Sequence, residues 1–475
     1  MAQDPVLDHV LFYLTRDDSF TIGQACEGVQ IFGGIGSGKS SGSGATLARS
    51  YLQAGMGGLV LCVKPDERVT WQEYARQTGR EDDLIIFDSS GNHQFNFLDY
   101  EMRRPGAGAG YSNNIVRLFT NIVEAIEGQK SGGGDSQYWI MAMQQLIRNA
   151  IDILGYTDLR QVSLLPLLYR IVNDAPRSLA QLNDPDWRAR SLVNKIITDS
   201  LAKRDATEQE DPWRASDFDA AATYWMQEFP MLDERPRSGI ISQFTTMADN
   251  FMRRPFRQLF CHQTSVMPED SIQRKIIIMD LPVKEFSAAG RASQVMMKFL
   301  WQQAMERRSV KKNPRPVFLW ADEAQNFISE YDMQFQATAR SSRCCTVFIT
   351  QNMPNYYAEM GTHAVHRTQS LVGNFATKIW HANSDFETNE KAAETIGKTW
   401  QEIMGSSESA TESSGASITT TRSQVFEYEM PPQVFTRLRK GGYANDFNVE
   451  GIVFQNGRIF SNGKTYIRTA FNQRA

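Results

Sequence analysis

The stretch Gly33-Gly34-Ile35-Gly36-Ser37-Gly38-Lys39-Ser40-Ser41 contains the spacing G-x4-G-K-S. Chemistry explains that pattern. Gly33, Gly34, Gly36 and Gly38 let backbone N–H groups, those of Ser37 and Ser41 included, turn inward around phosphate oxygens. The Lys39 ammonium then reaches the β- and γ-phosphates, and the Ser40 hydroxyl ligates Mg2+. ATP with Mg2+ is the expected cofactor pair. A second motif is Val317-Phe318-Leu319-Trp320-Ala321-Asp322-Glu323, an apolar run ending in two carboxylates. Asp322 would hold Mg2+, directly or through water, and Glu323 would orient and activate the attacking water. The second acid points to hydrolysis rather than binding alone. In a third run, Thr346 to Asn352, Gln351 stands where a strand tip beside the P-loop can sense the γ-phosphate. Upstream of it, Arg340 and Arg343 suit an arginine finger aimed at a neighbouring subunit's nucleotide. Lys64-Pro65-Asp66-Glu67 ends the next strand in the crevice where α/β sheets bind ligands, although an ordinary turn explains it equally well. Asn194-Lys195-Ile196-Ile197 lacks the Asp of a guanine-reading element, which favours ATP over GTP. His363 and His366 have no further ligands clustered with them, so zinc is not expected.

These residues need a scaffold. Val29 to Phe32 reads as a strand running straight into the glycine-rich turn. Ala45 to Ala54 follows as a helix, Gly58 to Val63 as a strand, Trp71 to Thr78 as a helix and Leu84 to Phe87 as a strand. Short apolar runs alternating with helices argue an α/β fold with buried parallel strands. From about Ile115 to Asp270 the pattern turns helical, with breaks at Gly132-Gly133-Gly134, Pro185, Pro212 and Pro236. Strands resume at Lys275 to Leu281, followed by a helix from about Ala288 to Arg308. Further strands are expected at Val317 to Ala321, Thr346 to Thr350 and Thr377 to Ala382. The separation 322 − 39 = 283 residues far exceeds one βαβ unit. An all-α block is therefore inserted in a P-loop NTPase core: residues 1–110 and 271–475 form the core and 111–270 the insert. Gly405 to Ser423 is nearly all Ser, Thr, Gly, Ala and Glu, and reads as a mobile loop or linker. Asn456-Gly457 and Asn462-Gly463 suggest a closing β-meander.

The 475 residues include 41% hydrophobic and 22% charged types, an ordinary globular composition that excludes disordered and fibrous classes. Fifty basic residues against 54 acidic give a net charge of −4, so any nucleic-acid contact must come from local patches. Candidates are Arg253-Arg254 with Arg257, Arg307-Arg308 with Lys311-Lys312, and Arg437 with Arg439-Lys440. The five cysteines, with no CxxC spacing, fit a reducing cytosol. No secretory leader and no apolar run of membrane-spanning length is read from the sequence, so a soluble, cytoplasmic chain is expected.

The chain resembles the type IV secretion coupling proteins, the VirD4/TraG/TraD-like conjugative DNA-transfer ATPases, from roughly Val29 onward. Besides the P-loop, Phe95-Asn96-Phe97-Leu98-Asp99 is similar to the family's Tyr-Asn-Pro-Leu-Asp segment. Tyr138-Trp139 with Ala142, and Ser238-Gly239-Ile240-Ile241-Ser242 through Phe251, resemble elements of the family's inserted domain. The most specific likeness runs from Leu319-Trp320-Ala321-Asp322-Glu323 through Arg340, Ile349-Thr350-Gln351 and Gly373-Asn374 to Trp380-His381-Ala382-Asn383-Ser384-Asp385. The resemblance implies a RecA-like motor core, an all-α insert and a homo-hexameric ring pumping DNA. It implies relaxase or effector proteins and type IV secretion channel components as partners. Members usually carry an N-terminal pair of membrane helices, whereas this P-loop begins some thirty residues in. Recruitment to the inner membrane by a partner is therefore expected. Lys64 also stands where many members have an acidic residue. Two other functions fit the same motifs: a DNA- or protein-moving ATPase of a soluble defence or mobilisation system, and a nucleotide-switched substrate adaptor.

Overall fold

The computed structural model describes residues 4–127, 134–156, 164–411 and 415–474. Its strands are β1 (Val10–Tyr13), β2 (Ser19–Thr21), β3 (Val29–Phe32), β4 (Gly57–Leu61), β5 (Leu84–Asp88), β6 (Ile276–Asp280), β7 (Val317–Ala321), β8 (Cys344–Thr350), β9 (Thr377–Trp380), β10 (Lys398–Thr411), β11 (Gly415–Tyr428), β12 (Asn448–Gln455) and β13 (Tyr466–Asn472). Nine of them form one sheet in the order β13-β12-β9-β3-β8-β7-β4-β6-β5. From β9 to β5 neighbouring strands are parallel; β12 runs antiparallel to both β9 and β13. Every residue of β3, β4, β7, β8 and β9 is buried, because helices cover both faces. Hence their uninterrupted apolar reading.

Between β5 and β6 the described elements are all helices, apart from a single bridge of Phe95 to Thr264. The helix Ser112–Glu127 buries Ile115, Leu118, Phe119 and Ile122, spaced as one helical face, and packs on the long helix Val283–Arg307. The prolines mark helix starts rather than gaps. Pro185 and Pro212 stand in first turns, behind Asp184 and Asp211, whose side chains accept from the N–H groups of Asp186 and Arg214. Pro236 lies in the first turn of the helix Glu234–Met252. The break expected at Gly132-Gly133 lies outside the described residues.

Two expectations are corrected. Residues 405–411 and 415–423 are strand rather than loop, since β10 and β11 pair antiparallel from Lys398 opposite Tyr428 to Thr411 opposite Gly415. A two-stranded ribbon needs no core, and the β-branched run Ile418-Thr419-Thr420-Thr421 suits extended backbone. Composition alone, with nothing to bury, reads as a loop. The two Asn-Gly dipeptides likewise do not punctuate a meander. Both fall in the single connection between β12 and β13, with Gly457 and Gly463 at φ 71° and 76°.

The chain ends clasp each other. The Asp18 carboxylate, just before β2, accepts from the Ser461 N–H (2.9 Å) and hydroxyl (2.6 Å). The Thr469 hydroxyl on β13 donates to the Leu14 carbonyl at 2.6 Å.

One carboxyl group sits uneasily where the helical block meets the core. Burial first, then the Glu330 carboxylate, push the Glu124 carboxyl up from 4.5 to about 7, with Arg367 opposing. The folded chain keeps a proton that the unfolded chain gives up above about pH 4.5. This residue's contribution to stability is thus full below that pH and lost as pH rises to 7. Glu124→Gln should melt a few degrees higher than the native chain at about pH 8 and show a shallower decline between pH 5 and 7. Identical melting curves at pH 8 would show that Glu124 carries no such penalty.

Candidate nucleotide site

The P-loop connects β3 to a helical entry at Ser40 and the helix Ala45–Gln53. Gly36 and Gly38 take φ values of 67° and 84°, a region that residues with a Cβ avoid. A Cβ on Gly38 would also strike Val449 Cγ2 at 2.5 Å. The Ser37 hydroxyl is buried without a hydrogen-bond partner. An orphaned donor at the floor of a glycine-rich turn matches a phosphate oxygen.

The chain fold brings the second motif to the same place. The Ser40 hydroxyl donates to the Asp322 carboxylate at 2.5 Å, across 282 residues of sequence. Burial above all, with Glu323 nearby, raises the Asp322 carboxyl, while Ser40 and Lys39 pull it back. A hydroxyl and a buried carboxylate facing each other form the oxygen pair that a hard divalent cation replaces that proton to bind. Glu323 adopts a left-handed conformation, φ 52° and ψ 49°, which is sparsely populated for a side chain of this size. Its carboxylate lies 4.0 Å from the Lys39 ammonium and accepts from Gln325 Nε2 at 2.9 Å and Gln351 Nε2 at 3.4 Å. Thr350 anchors Gln325 in turn, donating to its Oε1 at 2.8 Å. Lys39, Ser40, Asp322, Glu323 and Gln351 are therefore gathered at one end of the parallel sheet. Gly34, Ile35, Gln351, Asn383, Thr436 and Lys440 border an open cleft of about 540 Å3 beside them. Ser41 stands at the edge, accepting from Gln473 Nε2 at 2.6 Å.

The arginines are not in this cluster. Arg340 and Arg343 precede β8, whereas Gln351 follows it, so the seven-residue strand, about 20 Å long, separates them. Arg340 is largely exposed and pairs with Glu27 at 3.2 Å. Arg343 donates to the Pro314 carbonyl and pairs with Asp4. Neither faces its own subunit's P-loop. Of the basic patches, Arg308 is half spent on structure, donating to the Arg315 carbonyl at 2.9 Å and to that of Ser342. The turn at Lys64 is closed by its own carboxylate, since Glu67 accepts from the N–H groups of Val63 and Lys64, both at 3.2 Å. Burial, then the charge of Asp322, raise the Glu67 carboxyl well above the usual range, with its hydrogen bonds from Val63 and Lys64 opposing.

Three contributors carried no readable role in the sequence. His381 sits behind the P-loop, fully buried. Its Nδ1–H donates to the Glu450 carbonyl at 2.8 Å, which leaves Nε2 to accept from the Ser43 hydroxyl at 2.7 Å. Burial lowers its pKa to about 4, so the ring is neutral. Val449, on β12, covers Gly38 and Gly42. Gln325 fixes the Glu323 carboxylate. Long-range pairing of β9 with β12 creates the first two contacts, and no local spacing announces them.

Comparison with known proteins adds the family context. Residues 316–440 match the family model described as the TraM recognition site of TraD and TraG. The chain is similar in structure to the bacterial conjugative coupling protein TrwBdeltaN70, unbound monoclinic form, with a TM-score of 0.62 and 13% identity over 100% of this chain and 90% of that one. This chain has the coupling-protein fold. Plasmid coupling protein TrwB in complex with ADP and Mg2+ gives the same TM-score, 0.62, at 13% identity, over 99% of this chain and 91% of that chain. TrwB with a non-hydrolysable ATP analogue gives 0.61 at 14%, over 100% and 92%. A sequence comparison with curated proteins gave no match. The coupling-protein fold accounts for the RecA-like sheet and the all-α block. The TraG/TraD segment spans β7, β8, β9 and the β10–β11 ribbon. Among the described residues no helix is long and apolar enough to cross a membrane.

Proposed function

We propose that the protein is an ATP-hydrolysing motor that moves DNA, or a relaxase–DNA complex, in conjugative transfer. The observation that carries this reading is the Ser40–Asp322 contact beside Glu323, inside a chain of coupling-protein fold with a TraG/TraD segment. Lys39 and the P-loop amides would hold the phosphates, and Ser40 and Asp322 would hold Mg2+. Bound Mg2+ supplies charge neutralisation at the β- and γ-oxygens. Glu323, steadied by Gln325 and Gln351, would take the proton of the attacking water. TrwB has been seen with ADP and Mg2+ and with an ATP analogue, and that supports the same cofactors here. The TraM recognition segment supports a relaxosome protein as partner. Homo-hexameric assembly, type IV channel partners and recruitment to the inner membrane belong to the same proposal. The deciding experiment is ATP turnover with and without DNA. Strong stimulation is expected; nucleotide binding without turnover would favour a switched adaptor, and turnover indifferent to DNA would favour a protein-moving motor.

Arg340 acts in trans in this reading, because it lies at the far end of β8 from its own P-loop. Mixing Arg340→Ala subunits with Lys39→Ala subunits should restore part of the turnover at mixed interfaces. No rescue in demonstrated mixed oligomers would remove Arg340 from the role.

DNA binding should require assembly. At net charge −4 one subunit has no broad positive surface, whereas a ring repeats a modest patch around its axis. Affinity should fall steeply with salt as counterions are released, with little base preference. Fluorescence anisotropy of labelled oligonucleotides against salt, above and below the assembly concentration, measures both. Tight, salt-insensitive binding by the monomer would overturn the ring.

A further inference from the structure

On the far side of β3 and β9 from the P-loop helix, the helices Ala364–Gly373 and Phe386–Ile396 border a cavity of about 270 Å3. Its walls include Phe32, Met353, Val372, Trp380 and Ala392. One cation is set among them. Lys378, on β9, is 8% exposed. Its ammonium donates to the Phe375 carbonyl at 2.7 Å and lies 5.8 Å from the centre of the Phe454 ring. No carboxylate among the described residues pairs with it. Burial alone lowers its pKa, to about 8, with no acid opposing. The other lysine of the cavity, Lys391, is half-exposed and already paired with Glu394 at 2.8 Å.

A buried ammonium has three N–H groups and is costly to leave unpaired. Phe375 takes one of them. Lys378 itself lines a chamber whose walls are mainly apolar, with Gln369, Thr388 and Thr395 among them, and such a setting selects a ligand with an anionic head and a hydrocarbon body. A volume of about 270 Å3 limits the ligand to a small molecule, near the lower end of ordinary ligand pockets. We propose that this cavity is a binding site for a small amphipathic carboxylate, a medium-chain fatty acid or an aromatic acid, with Lys378 as the counter-ion. The site is separate from the nucleotide cleft but shares its frame: Phe32 immediately precedes Gly33, and Met353 follows Asn352.

The test is ligand-observed NMR titration of the full chain with octanoate and with octan-1-ol, which has the same body and no charge. Octanoate should bind at least about tenfold more tightly, the margin a charge-assisted hydrogen bond supplies. Lys378→Met should erase that margin while octan-1-ol binding persists. Gln369→Trp, at a position bordering the cavity, keeps the lysine and should weaken both ligands. No octanoate binding at about 10 mM, equal affinities for the two ligands, or a margin that survives in Lys378→Met would each overturn the proposal. If Lys378→Met does not fold, undiminished octanoate binding by Gln369→Trp overturns it.

Discussion

Lys39→Ala should abolish ATP turnover and weaken nucleotide binding, whereas Glu323→Gln should bind ATP almost normally yet turn over at least about a hundredfold more slowly. The two differ because of what each side chain touches. In the proposed mechanism Lys39 would supply positive charge to the phosphates in both ground and transition states. Glu323 would face the space in front of them, and its amide analogue keeps the shape and one acceptor oxygen, enough for the 2.9 Å hydrogen bond from Gln325 but not for that from Gln351 as well. What is lost is the ability to take a proton, together with the longer, 3.4 Å hydrogen bond from Gln351. Equilibrium nucleotide binding and steady-state turnover, measured on both variants, separate the roles. Near-normal turnover in Glu323→Gln would remove it from the chemistry.

Lys298→Ala should cost about 3–5 kcal/mol of stability, the usual consequence of breaking a buried pair. Lys298, on the helix Val283–Arg307, and Asp332, on the helix Glu330–Thr338, form an ion pair that is essentially free of solvent. Lys298 also donates to the Phe327 carbonyl at 2.7 Å, and Gln302 Nε2 donates to Asp332 at 2.8 Å. Alanine would leave the carboxylate charged and buried. Lys298→Ala/Asp332→Asn should recover part of the loss, since the amide carries no charge to desolvate. Thermal melts of the single and double variants check this. A double variant no more stable than Lys298→Ala would mean that packing, not charge, sets the cost. Turnover should fall as well, because Phe327 ends the turn that holds Glu323 in its left-handed conformation.

The sheet and the nucleotide-binding turn were legible because each strand is a short apolar run bounded by turn residues, and the P-loop chemistry lies in nine consecutive positions. Asp322, Glu323 and Gln351 were readable for the same reason: each ends a buried run. The supports were not. His381 and Ser43 meet across 338 residues, and Val449 covers Gly38 from a strand whose partner is chosen by sheet order rather than by local pattern. The β10–β11 ribbon escaped because its pairing is satisfied between its own two strands, without the hydrophobic alternation that usually reveals a strand. Lys64 to Glu67 stayed ambiguous, since a carboxylate closing a turn and one beside a cation look alike in one dimension.

The order of strands has a consequence for how the molecule comes into being. The P-loop strand β3 pairs Val29 with Val347 on one side and Phe32 with Trp380 on the other, separations of 347 − 29 = 318 and 380 − 32 = 348 residues. A growing chain therefore makes the phosphate-binding turn 318 residues before the first of its strand's two neighbours exists. Such distant pairing slows folding and keeps apolar edges uncovered meanwhile. The helical block, whose contacts are largely internal, is complete well before then. Any chain stopped short of Trp380 would thus carry an intact glycine-rich sequence on a strand that lacks a neighbour, so the frame behind the turn closes only once β8 and β9 are both made.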